Sequence, residues 1–279
     1  MRTFALVSVK KLVESRESHM RVLGCEWAVI EPLIPPARRG GRKRTTDMRA
    51  LMNGIMYILG TGCQWRALPS DLPPYGTVFY YLSWWRRNGT LDRMHQALHI
   101  LCRKKEGKEP EPTACVIDSQ SVKSAEKGGD SIDPHGFDAG KLIKGKKRHI
   151  LVDSTGLLLV ALVHSAGIQD RDGGLLLLAT LFGMFPMLRT MFADSAYGGP
   201  LFLAGLKKLL PQLNVEIIRR SDVAKGFEPL PKRWIVERTI AWLNRCRRLA
   251  KDWENLNCNG LAFLKLASIR LMLRKLCNA

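Results

Sequence analysis

Residues 146–165, KKRHILVDSTGLLLVALVHS, carry two apolar runs of strand length separated by the turn Ser154-Thr155-Gly156. Short apolar runs bounded by turn formers read as strands, and two of them across a tight turn read as a hairpin. TACVIDSQSV at 113–122 is a third strand of the same kind. Downstream the pattern alternates: DGGLLLLATLF (172–182) as a helix, RTMFADSAY (189–197) as a strand, GPLFLAGLKKLL (199–210) as a helix and NVEIIRR (214–220) as a strand. A helix from residue 232 closes the series. This order predicts an α/β fold with a mixed sheet and packed helices, antiparallel hairpins first and parallel crossovers after.

The closing segment 232–253, KRWIVERTIAWLNRCRRLAKDW, has the period of one long helix, with Ile235, Trp242, Cys246, Leu249 and Trp253 on its core line. Arg238, Arg245, Arg248 and Lys251 make its other half basic and surround Glu237, which shares a line with Asn244 and Arg248. The simple reading is a Glu paired with Arg233 one turn back. The alternative starts from charge. A carboxylate on a face suited to a polyanion repels it unless a divalent cation lies between, and that arrangement predicts further acids. Two strands end in an isolated acid, Asp118 in ACVID and Asp194 in MFAD. Ligands gather at strand ends in α/β sheets, so Asp118, Asp194 and Glu237 are expected to converge. Asp153 reads as a turn residue, and Asp170 and Asp172 as caps of the next helix. Carboxylates without His or Cys form the oxygen-rich environment of Mg²⁺ or Mn²⁺, and two such ions serve an in-line displacement at phosphorus.

Before residue 113 the pattern is helical. WAVIEPLIPP is a short helix stopped by Pro35-Pro36, followed by a basic arm holding Arg38, Arg39, Arg42, Lys43, Arg44 and Arg49. Thr46 or Asp47 caps a helix through Leu51, Met52, Ile55, Met56 and Leu59, ending at Gly60 and Gly62. Thr77 caps VFYYLSWWRRNG, and Leu91, Met94, Leu98 and Leu101 stripe the next helix. Trp84 and Trp85 read as core more than as base-stacking residues, and His95 and His99 as surface histidines. The division expected is a small all-α DNA-binding domain over residues 20–103, a linker over 104–112 and a catalytic domain over 113–279. Residues 1–19 form an extension, with Met20 as an alternative start. The long loop between the first two strands is basic at its end, where Lys141, Lys144, Lys146, Lys147 and Arg148 are placed to steer phosphates. Its Asp130, Asp133, His135 and Asp138 lack a regular ligand spacing.

With 44 Lys and Arg against 25 Asp and Glu, the formal charge is +19. Such a field implies an anionic partner, nucleic acid or an anionic membrane. The longest apolar stretch, Leu175 to Leu188, is broken by Gly183 and Pro186, so no membrane partner is expected. The first residues lack a signal-peptide pattern, and the seven cysteines form no CxxC pair. The expectation is a cytoplasmic, nucleoid-associated protein without disulfides or zinc.

WAVIEPLIPPARRGGRKR, GTGCQWRALP, IDSQSVK, KRHILVDSTG, FADSAYGG and WIVERTIAWLNRCRRL together resemble transposases of bacterial insertion sequences, in the group named after insertion sequence five. The likeness runs from about Trp27 to Leu276. It implies an RNase H-like catalytic domain with an Asp-Asp-Glu triad, which matching motifs put at Asp118, Asp194 and Glu237. It implies Mg²⁺, with Mn²⁺ as a substitute and two ions per site. It also implies binding of double-stranded DNA at terminal inverted repeats, cutting at the element ends and transfer of the 3′-hydroxyl to target DNA, by a homodimer or higher assembly. Arg42, Lys43, Arg44, Lys147, Arg245 and Arg248 are the expected DNA contacts. Where a related signature has Tyr and Lys around the Glu, this chain has Leu230 and Asn244. The rival readings are a transposase-derived DNA-binding regulator without catalysis, against which the three intact acids argue, and a nuclease indifferent to sequence.

Overall fold

Strand alternation decides which side of the sheet each residue serves. The computed structural model describes residues 21–37, 40, 43–125, 131–218 and 232–278. In it β1 (Ala114–Lys123) pairs antiparallel with β3 (Ile143–Asp153) and parallel with β5 (Thr190–Ala193). β2 (Gly136–Asp138) pairs antiparallel with residues 143–145 of β3 and β4 (Leu158–Ser165) with residues 146–152, and β6 (Asn214–Ile217) runs parallel to β5. This is the RNase H-like mixed sheet expected. β2 is an addition, because it falls inside what reads as a loop. It is short and opens on Gly136, where a Cβ would lie 2.1 Å from Ser165 Oγ.

Val116, Ile150, Val152 and Phe192 face a core shared with α7 (Arg233–Leu243) and α8 (Asn257–Cys277). Cys115, Ile117, Leu151, Met191 and Ala193 face the other core, under α5 (Asp170–Ala179) and α6 (Pro200–Leu209). Consecutive residues of β1 thus serve opposite layers.

Among the described residues four α-helices precede the sheet: α1 (Gly24–Ile30), α2 (Met48–Thr61), α3 (Tyr75–Arg87) and α4 (Thr90–Lys105). Asp47 caps α2 by accepting from the N–H groups of Arg49 and Ala50, a contribution of about 1 kcal/mol. Gly62 ends α2 in the left-handed conformation, against the backbone of Arg247 and Arg248. α3 starts at Tyr75 directly after Pro74, so Thr77 lies within it and is not its cap. In α4 the stripe turns to Leu91, Met94, Leu98 and Cys102, leaving Leu101 exposed.

His95 and His99 are buried, contrary to the surface role expected of them. His95 Nε2 lies 3.0 Å from Ser268 Oγ and His99 Nε2 lies 3.2 Å from Asp153 Oδ2. Asp153 does hold its turn, accepting from Thr155 N–H and O–H and from Leu157 N–H. It also accepts from Arg103 Nη1 at 2.6 Å. Burial alone raises a carboxyl pKa, but His99, Thr155 and Arg103 outweigh it and hold Asp153 well below the usual carboxylate range. α4 is thereby pinned to the sheet. One apolar core runs on from Ile30 through α2, α4 and α8 to Val163 of β4, across the segment 104–112.

The segment 232–253 is not one helix. α7 ends at Leu243, Cys246 is extended, and residues Arg247–Leu249 form a 3₁₀ turn. Beyond the break the chain is held from the sheet, where the Arg148 guanidinium donates to Leu249 O at 2.7 Å and Lys251 O at 3.3 Å. Arg248 therefore does not continue the line of Glu237, whereas Asn244, the C-cap, still follows α7 with its N–H on Ile240 O. The calls on residues 1–19, Arg38, Arg39, Arg42, Asp130 and Leu230 lie outside the described residues.

Candidate active site

The register of β1 with β5 sets Val116 opposite Phe192. Two residues further on come Asp118, within β1, and Asp194, just past the end of β5, both on the α7 side. Asp194 caps the turn Ser195–Tyr197 by accepting from Ala196 N–H at 2.9 Å. On α7, Val236 is fully buried, which turns the adjacent Glu237 outward, its side chain 45% exposed. Arg233, one turn earlier, links the acids: its Nη2 lies 3.7 Å from Asp194 Oδ2 and 3.5 Å from Glu237 Oε1. The simple pairing with Glu237 is present, and the same guanidinium also reaches Asp194.

Asp118 accepts from Ser119 N–H at 2.7 Å. Burial, and then the charge of Asp194, push its pKa up to about 6, against the pull of that hydrogen bond, Arg233 and Lys141. Among the described residues no three His, Cys, Asp or Glu side chains are grouped so as to hold a metal ion. The cation among these acids is the guanidinium of Arg233.

The other side of the sheet is charged too, but closed. Lys147 is buried, with Nζ 2.7 Å from Asp170 Oδ1 and 3.2 Å from Asp138 Oδ2, and donates to Ile168 O. Ser119 O–H donates to Asp170, and Ser121 O–H to Asp138. Asp170 thus sits in the first turn of α5 without capping it. Each of these acids lies below its ordinary pKa, since its donors outweigh burial.

The expected DNA contacts divide. Lys43, Arg44 and Arg245 are exposed, with Arg44 donating to Pro35 O at 2.9 Å. Arg248 is buried, its Nε 2.8 Å from Glu254 Oε1 and its Nη1 donating to Cys63 O. Lys146, Lys147 and Arg148 point inward because β3 begins at Ile143, earlier than the apolar run indicates, while Lys141 and Lys144 remain outside. Lys141 donates from Nζ to Ser119 O at 3.2 Å, beside Asp118. Its basic neighbours in sequence give no sign that it differs from them. The reach of Arg233 to Asp194 was hidden as well; only its spacing of four from Glu237 was visible.

Two family profiles match. "Transposase DDE domain" covers residues 109–272, more than half of the chain, and "Putative transposase of IS4/5 family" covers 25–95. Among similar proteins, the "Insertion element IS402 uncharacterized 16.2 kDa protein" of Burkholderia cepacia is 30% identical over 108 residues, 37% of this chain and 72% of that protein. The "Putative transposase for insertion sequence element IS402" of the same organism is 29% identical over 136 residues, 44% of this chain and 60% of that one. The match therefore spans about three fifths of the second relative. With an RNase H-like sheet behind the acids and a transposase profile over most of it, this chain belongs to the DDE transposases of insertion sequences.

Proposed function

We propose that the chain binds the terminal inverted repeats of its element, cuts the DNA at their ends and transfers the freed 3′-hydroxyl to target DNA, with Asp118, Asp194 and Glu237 as the divalent-cation ligands. What carries the reading is the placement of Asp118 and Asp194 on the α7 side of the sheet, with Glu237 on the helix packed there. The donor set fits Mg²⁺ or Mn²⁺ in kind, being carboxylate oxygen only, and Arg233 already brings positive charge to two of its three members. Bound there, two ions supply activation of an attacking oxygen and stabilisation of a leaving one.

The chain's own residues do the rest. Asp118, its pKa pushed up to about 6, would ionise more readily beside an arriving cation. Arg233 stands between Asp194 and Glu237 and carries charge complementary to a phosphate. Lys141, Lys144 and Arg245 stand exposed and suit the backbone on either side. In each step one P–O bond forms and one breaks, first with water and then with the 3′-hydroxyl as nucleophile. Two element ends joined in one event call for at least two protomers, working on DNA in the cytoplasm. No described helix is long and apolar enough to cross a membrane.

Incubation with Mg²⁺ and a labelled element end tests the proposal. A nick at the element boundary supports it. Equal cutting of random DNA replaces it with a sequence-blind nuclease, and binding without cutting replaces it with a regulator.

A further inference from the structure

α3 presents its aromatic residues in two different ways. Trp85 is completely buried, whereas Tyr80 is 58% exposed and Tyr81 and Trp84 are half-buried. Those three rings line a cavity of about 540 Å³ that the basic arm closes from the other side with Lys43, Arg44 and Thr46. Tyr80 meets Tyr81 at 5.7 Å and 87°, and Tyr81 meets Trp84 at 6.2 Å and 73°, so the rings form walls set across one another. Arg44 donates to Pro35 O, which ties together the two described stretches of the lining, 36–37 and 43–46.

The lining narrows the occupant. A phosphate track needs cations but not three rings, and an apolar peptide needs rings but not Lys43 and Arg44. Flat π-surfaces beside two cations and a hydroxyl match a nucleotide: a base to stack, a phosphate to pair and polar edges to bond. The volume lies within the roughly 300–1,000 Å³ of small-molecule sites. Base faces are covered inside a duplex, so only an unpaired nucleotide offers one to a ring.

We infer that this cavity holds one unpaired nucleotide of the bound DNA, its base against Tyr80 and Trp84 and its phosphate on Lys43 and Arg44. The inference rests on the DNA-binding reading above and adds a feature of the substrate, a single-stranded or extruded position read outside the catalytic sheet.

The test uses the full chain and two probes of one sequence, a blunt duplex and the same duplex with a short thymidine overhang, with affinity measured by fluorescence anisotropy. The wild type should prefer the overhang about tenfold, the scale of one stacked base. Tyr80→Ala should abolish that preference while leaving blunt-duplex affinity within about twofold, and Tyr80→Phe, which keeps the ring, should retain it. Tyr80 is exposed, so its truncation spares the core, and a thermal melt checks this. No preference in the wild type overturns the inference, as does an equal loss on both probes in Tyr80→Ala, which marks an ordinary duplex contact. If neither probe binds, the DNA-binding reading falls first and takes this one with it.

Discussion

Asp153 and Asp118 are acids on paired strands, the first buried and the second half-buried: Asp153 lies opposite Cys115, three residues before Asp118 along β1. Around Asp153 the donors are Thr155, Leu157, Arg103 and His99. Around Asp118, among the described residues, the donor is the next residue's N–H. The first acid is held well below the usual carboxylate range and the second is pushed up to about 6. Desolvation raises both carboxyls, so it does not separate the two acids. The supply of donors does. Asp138 and Asp170, on the opposite sheet face, side with Asp153: each is paired with Lys147 and a serine and is lowered.

Removing the acids at the open site should have the largest effect. Asp118→Asn, Asp194→Asn and Glu237→Gln are each expected to cut DNA cleavage on the order of 10³-fold or more, with DNA affinity nearly unchanged. Full cutting by any one of them, in a gel assay of nicked product, removes that acid from the site. Next in size is the closed site. Asp153→Asn should destabilise the protein by about 3–5 kcal/mol in urea unfolding, because Arg103 is left buried without its partner. The native pKa of Asp153 is depressed, so its contribution is fully present above the ordinary carboxylate value. It fades as pH falls through the lowered one. A loss under 1 kcal/mol would mean that these donors are dispensable.

Asp118 should show the opposite sign. Its native pKa is raised, so ionisation opposes folding, and the penalty grows as pH rises from the ordinary value of about 4 through about 6. Without divalent ions, Asp118→Asn should therefore stabilise the protein by about 1–2 kcal/mol at pH 7.5 and by almost nothing at pH 4. A variant less stable than the wild type at pH 7.5 would put Asp118 in the class of Asp153. The smallest effect concerns Arg233. If its guanidinium competes with a metal for Asp194 and Glu237, Arg233→Gln should bind Mn²⁺ about two- to threefold more tightly by paramagnetic titration, the scale of an exposed ion pair. Weaker binding would recast Arg233 as an organiser of the acids.

What the sequence shows is what neighbours along the chain determine. β1, the β3–β4 hairpin and the later strands and helices are local patterns, and Asp118 and Asp194 stand out because each ends an apolar run. What it hides depends on distant partners. The helical period runs unbroken to Trp253, yet the helix ends at Leu243 and the carbonyl of Leu249 is held by Arg148, 101 residues away. Nothing near His95 announces Ser268, 173 residues distant, and nothing near Lys147 announces that Asp138 and Asp170 will enclose it. β2 is concealed by its own brevity and by Gly136.

The continuous core also sets an order of events during synthesis. α8 packs on α1, α2, α4, α7 and β4, and it is translated after all of them. Leu98 and Cys102 leave the ribosome with no wall to rest on until Ala267 and Met272 follow, a wait of roughly ten to thirty seconds at bacterial elongation rates. A chain halted before Asn257 would carry the sheet and all its acids but present that apolar surface to chaperones and proteases. The helices that begin the protein thus acquire their fold from the one that completes its core.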